Sequence, residues 1–162
     1  MVGAMLMLLL VVAAYVAFRS AVRESPPSPV HAVRYSAEAS YARSQARFRV
    51  LAPPSLPSGW RATTVSFERG PREHWHLGLL TDKDRYVGLE QAELPAAAMA
   101  HTYVDKQARK GAPVTVAGAT WDTWTDGSGD VALVRSSGTA TTLVVGHDVP
   151  RAEVEAFTAS LR

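Results

Sequence analysis

The stretch Trp60–Glu93 constrains the fold most, because it predicts three consecutive strands. In its second and third segments, Trp75–Leu80 and Tyr86–Glu93, apolar residues alternate with polar or small ones. This period of two is typical of strands that bury one face. The polar loop TDKDR joins the two segments and is short enough for a β-hairpin. The chain should therefore be built around an antiparallel sheet.

The hairpin register follows from keeping the apolar residues of both strands on one face. A slip of one residue would move every side chain to the opposite face of the sheet. With the loop closed by Thr81 and Arg85, the predicted pairs are Leu79 with Val87, Gly78 with Gly88, Leu77 with Leu89, His76 with Glu90, and Trp75 with Gln91.

The remaining segments extend and cover this sheet. A short strand is expected at Phe48–Ala52, a helix over about Pro95–Lys110 with Met99 and Tyr103 facing the sheet, and a closing helix at Pro150–Leu161. The remaining strands are predicted at Val114–Trp124, Val131–Ser136 and Thr141–Gly146, the last two apolar enough to be central. The fold class is α+β, with residues 47–162 forming about seven mostly antiparallel strands and two helices in the order ββββαβββα.

The N-terminal part predicts a tether. Met1–Phe18 carries no charged side chain, and at about 1.5 Å per residue it spans roughly 27 Å, enough to cross a bilayer core. We therefore expect residues 1–19 to be a single-pass transmembrane anchor and the lipid bilayer to be a partner through residues 1–18. Residues 20–46 contain three prolines and predict a semi-rigid linker followed by a short helix from about residue 37, with Ser36 as a candidate N-cap.

Composition excludes several classes of site. The chain has no Cys, so it can hold no disulfide and no thiolate ligand, and a net charge of +2 does not favour nucleic acid as a partner. We find no Gly-x-Ser-x-Gly elbow, phosphate loop or GxGxxG motif. The sequence therefore predicts no enzyme activity and no cofactor. The segment Asp126–Asp130, DGSGD, predicts a tight turn.

His74 and His76 form the sharpest local motif. Their spacing puts both imidazoles on one strand face, and the predicted register adds Glu90 across the hairpin. Two nitrogens and one carboxylate could bind zinc and activate water. We favour a solvated or helix-covered polar face over this metal site, which stays as the alternative.

Trp121 and Trp124 are the candidate partner contacts. Residues three apart on a strand point to opposite faces, so without a bulge the two indoles cannot be buried in the same way. One of them exposed near the DGSGD turn would suit contact with an envelope protein, a glycan or a lipid.

The chain also resembles a known family in several segments: FRVLAPPSLPSGWRATTVSFE, WHLGLLTDKDRYVGLEQAE, PVTVAGATWDTW and LVVGHD. With the uncharged N-terminal segment, these resemble actinobacterial membrane proteins of the domain-of-unknown-function family 4245. The resemblance implies a single-pass anchor with an outward-facing domain, and it supplies no catalytic residues. More distantly, Pro-x-Gly-Trp followed by antiparallel strands is similar to the PsbP-like fold.

The charges near the anchor conflict with that orientation. Arg19 and Arg23 follow the anchor and no basic residue precedes it, so the positive-inside rule places the domain in the cytoplasm. Relatives usually begin with a basic stretch. We expect an extracytoplasmic domain, with Met1 an internal methionine of a product that starts upstream.

Together these features predict a membrane-tethered, non-enzymatic binding or accessory domain of the cell envelope, with an unidentified ligand. Two alternatives stay open. The first is a metal-binding protein or metal-dependent enzyme that uses the His-x-His hairpin. The second is a structural subunit of a membrane complex.

Overall fold

The computed structural model describes residues 32–162, which form one compact unit, Ala32–Arg162. The predicted anchor, and the linker up to residue 31, lie outside the described residues. Within residues 32–162, none of the helices has the length and apolarity that a bilayer crossing requires. The helices are α1 (Tyr35–Gln45), α2 (Ala96–Tyr103) and α3 (Arg151–Ser160). The strands are β1 (Arg61–Glu68), β2 (His74–Leu80), β3 (Tyr86–Ala92), β4 (Arg109–Lys110), β5 (Val114–Val116), β6 (Ala119–Thr125), β7 (Val131–Ser137) and β8 (Ala140–Gly146).

The strands form one antiparallel sheet in the order β1-β2-β3-β8-β7-β6-β4, with β5 paired to β6. The α+β class is confirmed. The described residues contain eight strands and three helices. The sequence predicted about seven strands, the two helices that cover them and the short helix from about residue 37. The hairpin register is confirmed at every predicted pair, including Leu77 with Leu89 and His76 with Glu90.

Helices cover both faces of the sheet, which gives two separate cores. On one face Trp75, Leu77 and Leu89 pack with Ala42 of α1 and Phe157 of α3. On the other face the core contains residues of α2 and of β6, β7 and β8, namely Met99, Ala100, Trp124, Ala132, Val134, Leu143 and Val145. Strands β7 and β8 contribute to both cores, as their nearly continuous apolar runs predict.

The predicted strand at Phe48–Ala52 is wrong. The backbone of this segment is bound by a side chain and by the C-terminus: Leu51 N–H donates to Gln91 Oε1 at 2.6 Å, and Gln91 Nε2 donates to the Arg49 carbonyl at 3.2 Å. Ala52 and Arg162 exchange two backbone hydrogen bonds of 3.2 Å. These partners take the place that a neighbouring strand would have at the backbone groups of Arg49, Leu51 and Ala52.

Two further predicted boundaries are wrong. The helix that begins after Pro95 ends at Tyr103, not Lys110, because the Asp105 side chain accepts the Gln107 N–H at 2.7 Å and turns the chain into β4. The single strand predicted at 114–124 is the hairpin β5–β6, since Ala117 and Gly118 both have positive φ, 48° and 77°. That pair of values is typical of a type I′ turn, whose twist matches the strands it joins.

Candidate functional site

The first candidate site is the polar face of the β2–β3 hairpin, which we call the histidine cluster: Thr64, His74, His76, Tyr86, Glu90 and Tyr103. Glu90 lies at its centre and is only 2% exposed. His76 Nδ1 is 2.6 Å from Glu90 Oε1, and His74 Nε2 is 2.7 Å from Glu90 Oε2. Each carboxylate oxygen thus has its own imidazole. A carboxylate buried to this degree requires such partners.

The imidazoles are held in place from outside as well. Thr64 Oγ1 lies 2.8 Å from His76 Nε2, and the Tyr103 hydroxyl lies 3.1 Å from His74 Nε2. The rings of His74 and Tyr103 stack at 5.8 Å between centroids. The His74 and His76 side chains remain 21% and 22% exposed, so solvent reaches the cluster from the side of the imidazoles.

Both tyrosines of the cluster are kept neutral. Burial, and then the negative charge of Glu90, raise the pKa of Tyr86 to about 12. Burial also raises the pKa of Tyr103, again with the Glu90 charge as the second cause. Both hydroxyls therefore remain hydrogen-bond donors at any physiological pH.

The structure brings the predicted metal-ligand candidates His74, His76 and Glu90 together. Their contacts, however, are hydrogen bonds of 2.6 and 2.7 Å. A tetrahedral zinc with ligands at about 2.1 Å would separate nitrogen and oxygen by about 3.4 Å. Within residues 32–162, no group of three or more His, Cys, Asp or Glu side chains has an arrangement that could hold a metal ion.

The expectation that Trp121 or Trp124 is exposed is wrong. Trp121 is 4% exposed in the core beneath α1 and α3, and Trp124 is 8% exposed in the core beneath α2. The alternation argument placed them correctly on opposite faces, but both faces are covered. Trp124 Nε1 is buried without a hydrogen-bond partner among the described residues.

A second candidate site is a cavity of about 170 Å³ that the sequence did not predict, here called the arginine cavity. It lies where the Phe48–Ala52 segment crosses the sheet. Its lining residues are Phe48, Arg49, Leu51, Gln91, Trp121, Arg135, Ser137, Ala140 and Thr142. The lining thus includes two arginines and contains no acidic residue.

The polar groups of the arginine cavity are biased toward donors. Within residues 32–162, neither Arg49 nor Arg135 forms an ion pair. The Thr142 hydroxyl accepts a hydrogen bond from Gln91 Nε2 at 3.0 Å, which leaves its own proton available. The Gln91 carbonyl oxygen already accepts from Leu51 N–H. A ligand that enters this cavity therefore meets positive charge and hydrogen-bond donors.

Sequence reasoning had no signal for this site. Arg49 and Arg135 lie in segments far apart in the chain, and each alone is an ordinary solvated arginine. Among the lining residues, only Trp121 was predicted from sequence to be a partner contact.

Comparison with known proteins places the whole chain in one family. A sequence model of the family described as "Protein of unknown function (DUF4245)" matches residues 1–161 of this chain. No curated protein matches the chain.

Proposed function

Because the chain belongs to the DUF4245 family, whose description assigns no activity, we propose from geometry that it is a membrane-tethered binding domain for a small anionic ligand with an apolar part. The arginine cavity is the binding site. The observation that carries the proposal is a cavity with apolar walls, two arginines and no acidic residue.

The cavity favours binding over chemistry. Its lining contains no Asp, Glu, His or Cys, so the hydroxyls of Ser137 and Thr142 have no base beside them among the lining residues. Its walls include Phe48, Leu51 and Trp121, which suit an apolar chain. Arg49 and Arg135 suit a carboxylate or phosphate, which a guanidinium binds through paired hydrogen bonds.

The cavity volume limits the ligand. At about 30 Å³ for each water-sized group, 170 Å³ holds about six such groups. A carboxylate with about four carbons, which has about six non-hydrogen atoms, fills this volume, and hexanoate exceeds it by about two. A longer acyl chain would have to extend out of the cavity.

Binding can be tested on the full-length chain in nanodiscs of neutral phospholipid, with hexanoate as the probe in isothermal titration calorimetry. Hexanamide, which has the same chain and no charge, is the matched ligand control. We expect hexanoate to bind and hexanamide to bind at least about tenfold more weakly, because a hydrogen bond to a charged group contributes about 1.5–3 kcal/mol.

Variants then locate the site. Arg49→Gln and Arg135→Gln should each weaken hexanoate binding about tenfold or more. Arg72→Gln is the matched control, because Arg72 is exposed and is not part of the cavity lining. Equal affinities for the acid and the amide, or equal loss in all three variants, would overturn the assignment.

The tether forms the second part of the proposal, and the uncharged segment Met1–Phe18 supports it. We expect the full-length chain to remain with membranes after a high-pH carbonate wash. A protease added to intact cells should cleave residues 32–162 if the domain faces outward. A shielded domain would place the cavity in the cytoplasm and would redirect the search for its ligand.

A further inference from the structure

Thr64, His76 and Glu90 form a continuous hydrogen-bonded chain within the histidine cluster. The Thr64 hydroxyl is 2.8 Å from His76 Nε2, and His76 Nδ1 is 2.6 Å from Glu90 Oε1. When Glu90 is a carboxylate, which can only accept, and His76 is a neutral ring, His76 donates its Nδ1–H and accepts the Thr64 proton at Nε2. This is the order of hydroxyl, base and acid that activates a nucleophile in acyl transfer.

A β-bulge puts Thr64 on this face. Ala62 pairs with Leu79 and Thr64 with Gly78, so Thr63 is an extra residue in β1. Without it, regular pairing would set Thr64 opposite Leu77, on the buried apolar face. The bulge therefore moves the Thr64 hydroxyl to the side of His76.

Gly78 makes room for the contact. A Cβ at position 78 would lie 2.3 Å from Thr64 Oγ1 and 3.2 Å from His76 Nε2. The ring edge of Tyr86 is the third neighbour of that point, at 3.3 Å. The hydroxyl, the imidazole nitrogen and a tyrosine ring thus meet above a glycine, in space that any larger residue would fill.

The Glu90 carboxylate is also held at its second oxygen. Glu90 Oε2 is held by His74, which is stacked on Tyr103, so the carboxylate cannot turn away from His76. Glu90 is 2% exposed, whereas Thr64 is exposed to solvent. A buried, oriented acid behind an accessible hydroxyl is an arrangement that nucleophilic acyl transfer uses.

From these contacts we infer that Thr64 is a nucleophile that accepts the acyl group of small esters, with His76 as its base and Glu90 as a positioning residue. This activity goes beyond the proposed binding function and lies on the opposite face of the sheet from the arginine cavity. It also replaces the non-enzymatic expectation for this face.

The reaction balances without a further reagent. Thr64 Oγ attacks the ester carbonyl carbon while His76 Nε2 takes its proton. The tetrahedral adduct then expels the alcohol oxygen, which receives that proton from His76 and leaves an acyl-Thr64 ester. Water, deprotonated by His76, attacks this ester. The Thr64 oxygen then leaves the adduct and takes that proton back from His76, which releases the carboxylic acid and restores the free hydroxyl.

The test uses p-nitrophenyl acetate and the full-length chain. We expect nitrophenolate release together with an acetyl group on Thr64, located by peptide mass spectrometry of the unmutated protein. Thr64→Val should lower the rate about 100-fold, because general-base activation of a hydroxyl contributes about 10²–10⁴-fold. Thr64→Ser should retain the activity.

Thr63→Val is the matched control, since the Thr63 hydroxyl already donates to the Gly78 carbonyl at 3.2 Å and should not react. Glu90→Gln should lower the rate at least about tenfold while Thr64 remains the acylated residue. An acetyl group found only on lysines, or equal rates for wild type and Thr64→Val, would overturn the inference. Thr64→Val should leave hexanoate affinity unchanged, so this result is independent of the arginine cavity.

Discussion

Replacing Trp75 or Trp124 by Phe should separate the contribution of an indole hydrogen bond from that of aromatic packing. Both side chains are buried on the sheet, and both substitutions remove the same atoms. They differ at Nε1: the Trp75 nitrogen donates to the Leu51 carbonyl at 3.0 Å, whereas the Trp124 nitrogen has no partner among residues 32–162.

The magnitude follows from this difference. Trp75→Phe should leave the Leu51 carbonyl without this donor, and losing one partner of a buried hydrogen bond costs about 1–3 kcal/mol. Trp124→Phe removes a donor that is already unpaired, so this cost does not arise. We therefore expect Trp75→Phe to be the more destabilising by about 2 kcal/mol. At about 4 °C for each kcal/mol, its Tm should be about 8 °C lower than that of Trp124→Phe.

The assay is thermal unfolding of the two full-length variants in the same detergent, followed by far-UV circular dichroism. Indole fluorescence is unsuitable, because each variant loses one of the reporting residues. Equal Tm values, or a lower Tm for Trp124→Phe, would refute the argument that the Nε1 partner decides the difference.

Trp75→Phe should also affect ligand binding in the arginine cavity. Leu51 lines the arginine cavity, and the Trp75 bond is one of the contacts that hold its segment on the sheet. Trp75→Phe should therefore weaken hexanoate binding, while Trp124→Phe should leave it unchanged.

Three further predictions concern single side chains. Leu77→Ala should destabilise the fold by about 2–5 kcal/mol in denaturant titration, since Leu77 is fully buried and the change leaves a cavity; a loss below about 1 kcal/mol would contradict its core position. The Ser128 side chain, together with backbone N–H groups of the turn, lowers the pKa of Asp126 below its ordinary 3.8. Its contribution is thus present above that value and lost as the pH falls below it through the folded-state pKa, so Asp126→Asn should flatten the loss of Tm as the pH is lowered from about 4. Burial raises the pKa of Tyr86 from 10.0 to about 12, so stability should be intact below pH 10 and fall above it, and Tyr86→Phe should lose less Tm than wild type between about pH 9 and pH 11.

The hairpin could be predicted from sequence because its determinants are local. Alternation along β2 and β3 permits only one register that keeps Leu77 and Leu89 together, and the short loop brings the two strands into contact. The closing helix is similar: Val154 and Phe157 recur at helical spacing, and both are buried in α3. Such patterns involve residues that are close in the chain, and here the distant contacts agree with them.

Other features depend on which distant groups reach a backbone or a face. The segment Phe48–Ala52 has the pattern of a strand, but Gln91 and Arg162 bind its backbone instead. The exposure of Trp121 and Trp124 depended on whether both sheet faces are covered, and alternation along one strand carries no information about coverage.

Both candidate sites depend on contacts between segments that are distant in the chain. His76 and Glu90 were paired from sequence, but the contact with Thr64 exists only because a bulge in β1 shifts its register by one residue. The arginine cavity needs the Phe48–Ala52 segment to cross the sheet near Arg135. Sequence determined the strands that carry these side chains, through periodicity within each segment. Tertiary structure determined which side chains come into contact, because those contacts depend on the backbone hydrogen bonds formed between segments.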